Sequence, residues 1–295
     1  MVRFASKEGA VGALAQAKYP VKSLAKALRL LDALGRPDSG ASIAALSKEL
    51  KMGKSTIHRL LATLREFDLV WFDPSTSNYA LGARILRWSD LLVRQNLVIR
   101  HGWAILRELV QACHETASLA ILEGTDVVFI ARCESTQRLR MSEAVGSRNP
   151  AHCTALGKAI LAALSEKEFL KVYDGMETLK AVTPNSITSR EKLWDHLRKV
   201  QQEGVAYDFE ENVAGGVCIG TAVRNHTGNV VAGMSLSLPT QRLRGDILIT
   251  LKEHLLRAAG RLSSELGYAG EAEISGTSHA HGRHRADRAK EPTPV

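Results

Sequence analysis

The stretch KMGKSTIHRLL, residues 51–61, decides how this chain is read. Its Gly53-Lys54-Ser55-Thr56 run is the second half of a loop that cradles nucleotide phosphates. The same residues, ahead of a leucine run, suit a helix laid against DNA. A nucleotide loop needs a glycine at position 48 and a strand in front of it. Position 48 is Lys48, and a helical pattern precedes the motif. The nucleotide reading therefore fails twice, and a duplex remains.

On the helix that starts here, Ile57, Leu60, Leu61 and Leu64 share one face. At about 100° per residue, Ser55, Arg59 and Ala62 point the opposite way. Lys54 and His58 lie on one flank, Thr56 and Thr63 on the other. Small hydrogen-bonding residues with a few cations suit entry into a major groove. Ser55 and Thr56, near the helix start, can bond phosphates beside free backbone N–H groups.

Upstream, Ile43, Leu46 and Leu50 mark a second helix with Ser42 at its start, and KMG is the break after it. A first helix follows the 3.6 period through Leu24, Ala27, Leu28, Leu31 and Leu34. Ser23 is its expected cap, Gly35 its stop, and RPDSGAS the turn that follows. Downstream, LVWFDPSTSNYALG alternates at Val70 and Phe72, then at Tyr79 and Leu81, around a polar turn, which reads as a β-hairpin. Its tip, with Ser75 and Thr76, could touch backbone or minor groove. Residues 21–66 carry nine Lys or Arg against four Asp or Glu. One amphipathic surface helix alone would show nothing more. Three helices, a short turn and a hairpin predict a winged helix-turn-helix over 22–82 that binds double-stranded DNA. The candidate contacts are Lys54, Ser55, Thr56, His58, Arg59, Ser75 and Thr76.

The 295 residues suggest about two domains. A 45% hydrophobic and 24% charged composition is that of a folded soluble protein, and a formal charge of +8 suits an anionic partner or plain solubility. AVGALAQA is too short for a signal peptide and Lys18 follows it, while no run reaches the roughly 18 apolar residues of a membrane span. Cys113, Cys133, Cys153 and Cys218 form no C-x-x-C pair, which argues against structural zinc and fits reduced thiols in a cytoplasm. No cofactor or metal is expected.

Residues 83–96 read as a linker helix, and its Ile85, Leu86, Trp88, Leu91 and Leu92 offer a dimer surface or pack on their own domain. Over 97–270 the pattern is mixed: a helix at 97–115, strands in ASLAILEG and DVVFIARCES, and a third strand in LRMSEAVG. Helices follow in TALGKAILAAL and at about 189–203. VCIGTAVRN and VVAGMSLSLP form a hairpin around His226-Thr227-Gly228-Asn229, and a long helix covers about 241–267. This is an α+β expectation, a sheet with helices on its faces. Residues 1–20 read as a loose leader and 271–295 as a disordered tail.

These residues together resemble the isocitrate-lyase-regulator (IclR) family of bacterial transcription factors. SLAKALRLLDAL, SIAALSKELKMGKSTIHRLLATL and YALGARIL are similar to its winged helix-turn-helix. LRMSEAVGSRNPAHCTALGKAILA, YDFEENVAGGVCIGTAV and VVAGMSLSLP are similar to its effector domain, so the likeness runs in order over about 22–267. It implies a GAF-like second domain with a six-stranded antiparallel sheet, an effector pocket, and homodimers that pair into tetramers. It implies a repressor or activator of transcription, not an enzyme. Position by position, the implied pocket falls on Met141, Ala155, Leu156, Asp208, Cys218, Ser235 and Ser237. Leu156 is larger than the residue many members carry, and AGGV before Cys218 is unusually small, which bears on the ligand's shape.

The residues support that location independently. Thr154 can cap a helix whose first N–H groups lie open to an anion. Ser235 and Ser237 share one strand face, as do Cys218 and Gly220. Plain capping and strand alternation would give the same pattern. The expected effector is a small carboxylate, with Asp208 accepting from a ligand hydroxyl. The rival classes are an enzyme built on His152-Cys153 and an architectural DNA-binding protein without a ligand. His279, His281 and His284 in the tail read as an incidental run more readily than as a metal site.

Overall fold

The computed structural model describes residues 21–35 and 40–270. The leader, positions 36–39 of the first turn, and the tail with its three histidines lie outside them. Three helices, α1 (Lys22–Leu34), α2 (Ile43–Leu50) and α3 (Lys54–Glu66), precede an antiparallel hairpin of β1 (Val70–Asp73) and β2 (Asn78–Leu81). Their core is Leu30, Leu46, Ile57, Leu61, Leu64, Val70 and Tyr79. Ser42 caps α2 by accepting from Ala45 N at 3.2 Å, and Lys51 in the left-handed region ends it. That residue and Gly53 make the tight corner between α2 and α3.

Two expectations for α1 need correction. Its N-cap is Val21, so Ser23 sits inside the first turn and caps nothing. The enclosed stripe is Leu30, Ala33 and Leu34, while Leu24 and Leu28 face outward. Of the expected stripe, Leu34 is buried and Ala27 and Leu31 pack against the core beside Leu30 and Ala33, while Leu24 and Leu28 lie off the face that the core covers.

The linker helix α4 (Arg84–Gln95) has no buried residue. After it α5 (Leu97–Cys113) begins at Asn96, whose side chain accepts from Ile99 N. Six strands follow: β3 (Thr116–Glu123), β4 (Asp126–Cys133), β5 (Arg148–Pro150), β6 (Ala206–Phe209), β7 (Gly216–Arg224) and β8 (Val230–Pro239). They form one antiparallel sheet in the order β5-β4-β3-β8-β7-β6. Between strands lie α6 (Ala155–Ala162), α7 (Glu166–Val172) and α8 (Arg190–Glu203), and α9 (Ile247–Glu265) closes the order.

Strand alternation divides the sheet's two faces. Leu119, Ile219, Met234, Leu236 and Leu238 pack with α5 and α9. The other face carries α6 and α8. There Gly220 and Gly233 let α6 rest directly on the strands. A Cβ at Gly220 would lie 2.4 Å from Leu156 N, and one at Gly233 2.7 Å from Leu156 O.

The expected strand at LRMSEAVG is not one: 139–146 are irregular, and the strand that pairs with β4 is Arg148–Pro150. The segment is tied down by two arginines, the buried Arg132 and the half-buried Arg242, instead of a ladder. Arg242 Nη1 donates to Leu139 O at 2.6 Å, and Arg132 donates to the carbonyls of Met141 and Glu143. The last helix starts at Ile247, later than expected, because Thr240–Arg242 is a single 3-10 turn and Arg242 is drawn back onto both oxygens of Glu115. The sequence reading also passed over α7 and β6.

Candidate functional site

Two regions gather the candidate residues. The first is the outer face of α3. Ile57, Leu61 and Leu64 face the core, while Lys54, Ser55, His58 and Arg59 are exposed and Thr56 is half-buried. Among the described residues no hydrogen bond engages the Arg59 guanidinium, so it is available to a partner. The N-cap is Gly53, which brings no side chain, so the first N–H groups of α3 are not covered by one. That is the arrangement a phosphate finds at a helix start.

The hairpin tip is tighter than the sequence suggested. Asp73 Oδ1 accepts from Ser75 N at 2.9 Å and Ser75 Oγ at 2.6 Å, and its Oδ2 accepts from Thr76 Oγ1 at 2.9 Å. These bonds hold the Asp73 carboxyl below its ordinary range. Both candidate hydroxyls therefore spend their protons on Asp73 and would have to leave it to donate to a phosphate. A ring contact between Phe72 and Tyr79, centroids 4.8 Å apart, stiffens the base of the hairpin.

The second region is a cavity between the sheet and the start of α6. All seven effector candidates line it: Met141, Ala155, Leu156, Asp208, Cys218, Ser235 and Ser237. Strand register explains why. Asp208 pairs with Cys218, Cys218 with Ser237, and Ser237 with Thr116, giving one transverse row. Gly220, Ser235, Ser118 and Arg132 give the next row on the same face. Above them, Thr154 Oγ1 accepts from Gly157 N at 3.2 Å. Among the described residues no acceptor takes the N–H of Ala155 or Leu156. Those free donors and the positive end of α6 favour an anion.

The charges sit at opposite ends. Asp208 is buried on β6, and its Oδ1 accepts from Glu211 N at 2.7 Å and Asn212 N at 3.3 Å. Burial outweighs those bonds and raises its carboxyl to about 7. The Cys218 thiol, pushed up to about 12 by burial, is neutral and donates to Ser237 Oγ at 3.2 Å. Behind α6, Lys158 and Glu211 form an enclosed ion pair. Sequence reasoning missed Arg132, Ser118 and Asn149, which also line the cavity. An arginine within the apolar strand DVVFIARC was the signal that one wall is polar.

The cavity is nearly shut. Its volume is about 30 Å³, room for roughly two waters at about 10–15 Å³ each. Met141 and Val213 close it over Gly216, where a Cβ would lie 2.6 Å from Met141 Cε. A larger ligand must displace Met141.

The His152-Cys153 pair lacks catalytic geometry. His152 Nε2 lies 3.0 Å from Lys180 O, its Nδ1 is enclosed without a partner, and burial raises the Cys153 thiol. Among the described residues there is no group of three metal-ligating side chains, and no helix long and apolar enough to cross a membrane.

Comparison with known proteins converges on one family. The IclR helix-turn-helix domain matches residues 23–74, and the bacterial transcriptional regulator IclR C-terminal domain matches 91–264. The chain is 33% identical over 251 residues to the HTH-type transcriptional regulator XynR of Escherichia coli K12, covering 84% of this chain and 98% of that one. Thermotoga maritima IclR superposes with a TM-score of 0.73 at 27% identity, over 84% of this chain and all of that one. The inducer-binding domain of PobR from Acinetobacter, a double mutant in complex with 3-hydroxybenzoic acid, superposes with a TM-score of 0.51 at 25% identity. That match covers 56% of this chain and 96% of the PobR domain.

Proposed function

Since the chain belongs to the IclR family of bacterial transcriptional regulators, we propose that a small organic acid in the α6 cavity controls its hold on operator DNA. The observation that carries this reading is the convergence of seven residues, from the 134–147 loop, α6 and three strands, on one small cavity. The family's regulators are DNA-binding proteins and not enzymes, so the cavity serves regulation. The PobR domain's complex with a hydroxybenzoic acid supports an acid of this kind.

In this reading α3 enters the major groove with Lys54, Ser55, Thr56, His58 and Arg59, and Ser75 and Thr76 at the hairpin tip approach the backbone. One such module gives few base contacts, so two copies read two half-sites. The exposed Leu86, Trp88, Leu91 and Leu92 of α4 supply the dimer surface, and dimers can pair into tetramers. The working divisions are 22–82 for DNA, 83–96 as linker, 97–270 for effector and assembly, and 271–295 as a tail. The protein works in the cytoplasm, with its DNA. The effector carboxylate meets the Ala155 and Leu156 N–H groups and the Ser235 and Ser237 hydroxyls, while Asp208 accepts from a ligand hydroxyl.

The test is a thermal-shift screen of small organic acids on the full chain, followed by calorimetric titration of Ser235→Ala. A neutral hydrogen bond lost there lowers affinity by about 0.5–1.5 kcal/mol. Wild-type affinity in both Ser235→Ala and Ser237→Ala would leave these hydroxyls without a ligand role.

A further inference from the structure

We infer that Arg132 is the cation that recognises the effector's carboxylate, and that the effector is a hydroxy acid whose hydroxyl is held at the Asp208 end. This deepens the cavity reading above and rests on it, with the carboxylate drawn from the start of α6 toward the β4 wall. Arg132 is 7% exposed and lines the cavity from β4. Its Nη1 donates to Glu143 O at 2.8 Å and its Nη2 to Met141 O. Its Nε–H is enclosed and has no partner.

Other cations of the same half of the chain differ in kind. Arg148 bridges Glu123 at 2.7 Å and Asp126 at 3.4 Å, Arg242 grips both oxygens of Glu115, and Lys158 is paired with Glu211. Arg132 instead meets only carbonyl dipoles among the described residues. Glu143, half-buried on the same wall, and Glu134 attract it through space without forming a bridge. A buried guanidinium without an anion is costly, and a donor left without an acceptor adds to that cost. A ligand carboxylate removes both penalties at once. Arg is also suited to the task, since its planar fork matches a carboxylate while one edge stays on other acceptors.

Asn149 Nδ2 is a second enclosed donor without a partner, and Asn149 lines the same cavity. The β4/β5 end therefore offers unspent donors. The β6 end offers an acceptor, Asp208. Four strand steps separate β4 from β6, about 19 Å between backbones at roughly 4.8 Å per step. One ligand spanning these ends needs a carboxylate at one terminus and a hydroxyl toward the other. Because the same guanidinium holds the Met141 and Glu143 carbonyls, acid binding and the 134–147 loop that carries Met141 share one anchor.

The experiment titrates the full-length protein by calorimetry with 3-hydroxybenzoate, 3-hydroxybenzamide and benzoate. Wild type should prefer 3-hydroxybenzoate to 3-hydroxybenzamide by about tenfold or more, as expected for a charge-assisted hydrogen bond. Arg132→Gln should bind that acid and its amide alike. Asp208→Asn should weaken the hydroxy acid and leave benzoate unchanged. If Arg132→Gln keeps the full preference for the acid, the Arg132 assignment is overturned while the cavity reading survives. If wild type binds no acid, or binds acids and amides alike, the carboxylate reading itself falls and takes this inference with it. Should Arg132→Gln fail to fold, the Nε–H resonance of Arg132 in wild type, identified with Arg132→Lys, decides the matter. It should move with the acid and stay with the amide, and an unmoved resonance overturns the assignment.

Discussion

Replacing Gly220 by Ala tests how α6 is held over the cavity. The added Cβ would lie 2.4 Å from Leu156 N and 2.5 Å from the Ala155 carbonyl carbon. Both are backbone atoms, so no rotamer change relieves the contact. Ordinary contact needs about 1 Å more, so α6 must lift off β7 by that amount. Overpacking of this kind costs about 1–3 kcal/mol. The unfolded chain gains nothing from alanine and loses some freedom, which offsets about 0.4–1 kcal/mol. The expected net loss is therefore between zero and about 2.6 kcal/mol, toward the upper end because both contacts are to backbone. Gly260, in α9, is the matched control, since a Cβ there meets nothing within 4 Å. Gly260→Ala in a helix should gain up to about 1 kcal/mol. Urea unfolding followed by circular dichroism, at one protein concentration, reads both variants. If Gly220→Ala were as stable as wild type while Gly260→Ala rose, α6 would not rest on β7 as described.

Arg59→Ala should weaken binding to a selected duplex by about 1–3 kcal/mol if it reads a base, and wild-type affinity should fall steeply with salt; anisotropy titrations that show neither would remove α3 from the groove. Leu86 is 73% exposed and Leu91 42% exposed, so Leu86→Glu with Leu91→Glu should leave the fold intact and shift light scattering toward monomer. Unchanged mass at micromolar concentration would place the dimer surface elsewhere. Asp208 has its folded carboxyl raised from 3.8 to about 7, so the folded state holds the extra proton between those values. Its contribution therefore favours folding at low pH and is lost as pH rises through about 7. Asp208→Asn should flatten the decline in urea stability between about pH 4 and pH 7, and an unaltered slope would contradict the buried carboxyl.

The sequence was most legible where structure is local. Ile57, Leu61 and Leu64 repeat at helical spacing and are buried as that spacing requires. The hairpin follows from alternation around a polar turn, and Phe72 does face Tyr79 across it. The limits of the covered face were less legible than the period: Ala27, Leu31 and Leu34 meet the core and Leu24 and Leu28 do not, because the pattern does not say how far a core extends. Residues 139–146 alternate like a strand, yet Arg132 of β4 and Arg242 of the turn after β8 hold their carbonyls, and no local pattern reports Arg242, 103 residues from Leu139. The short helix α7 was overlooked although Ser165 and Glu168 form a capping box that spells its start. In the cavity, Ser235 and Ser237 could be placed on one face from spacing alone. Arg132 could not, because its position follows from the register Ser118 makes with β4.

If an acid in the α6 cavity sets affinity for DNA, one titration shows it. Full-length protein is titrated onto a duplex that it has selected from a random pool, with and without the acid that calorimetry shows to bind. The same is done with Ser237→Leu, which fills the cavity from β8. The account predicts that the acid changes wild-type affinity by about 5–150-fold, a coupling of roughly 1–3 kcal/mol. It predicts that Ser237→Leu binds the duplex and ignores the acid. An acid that occupies the wild-type cavity and leaves affinity for the duplex unchanged would contradict it.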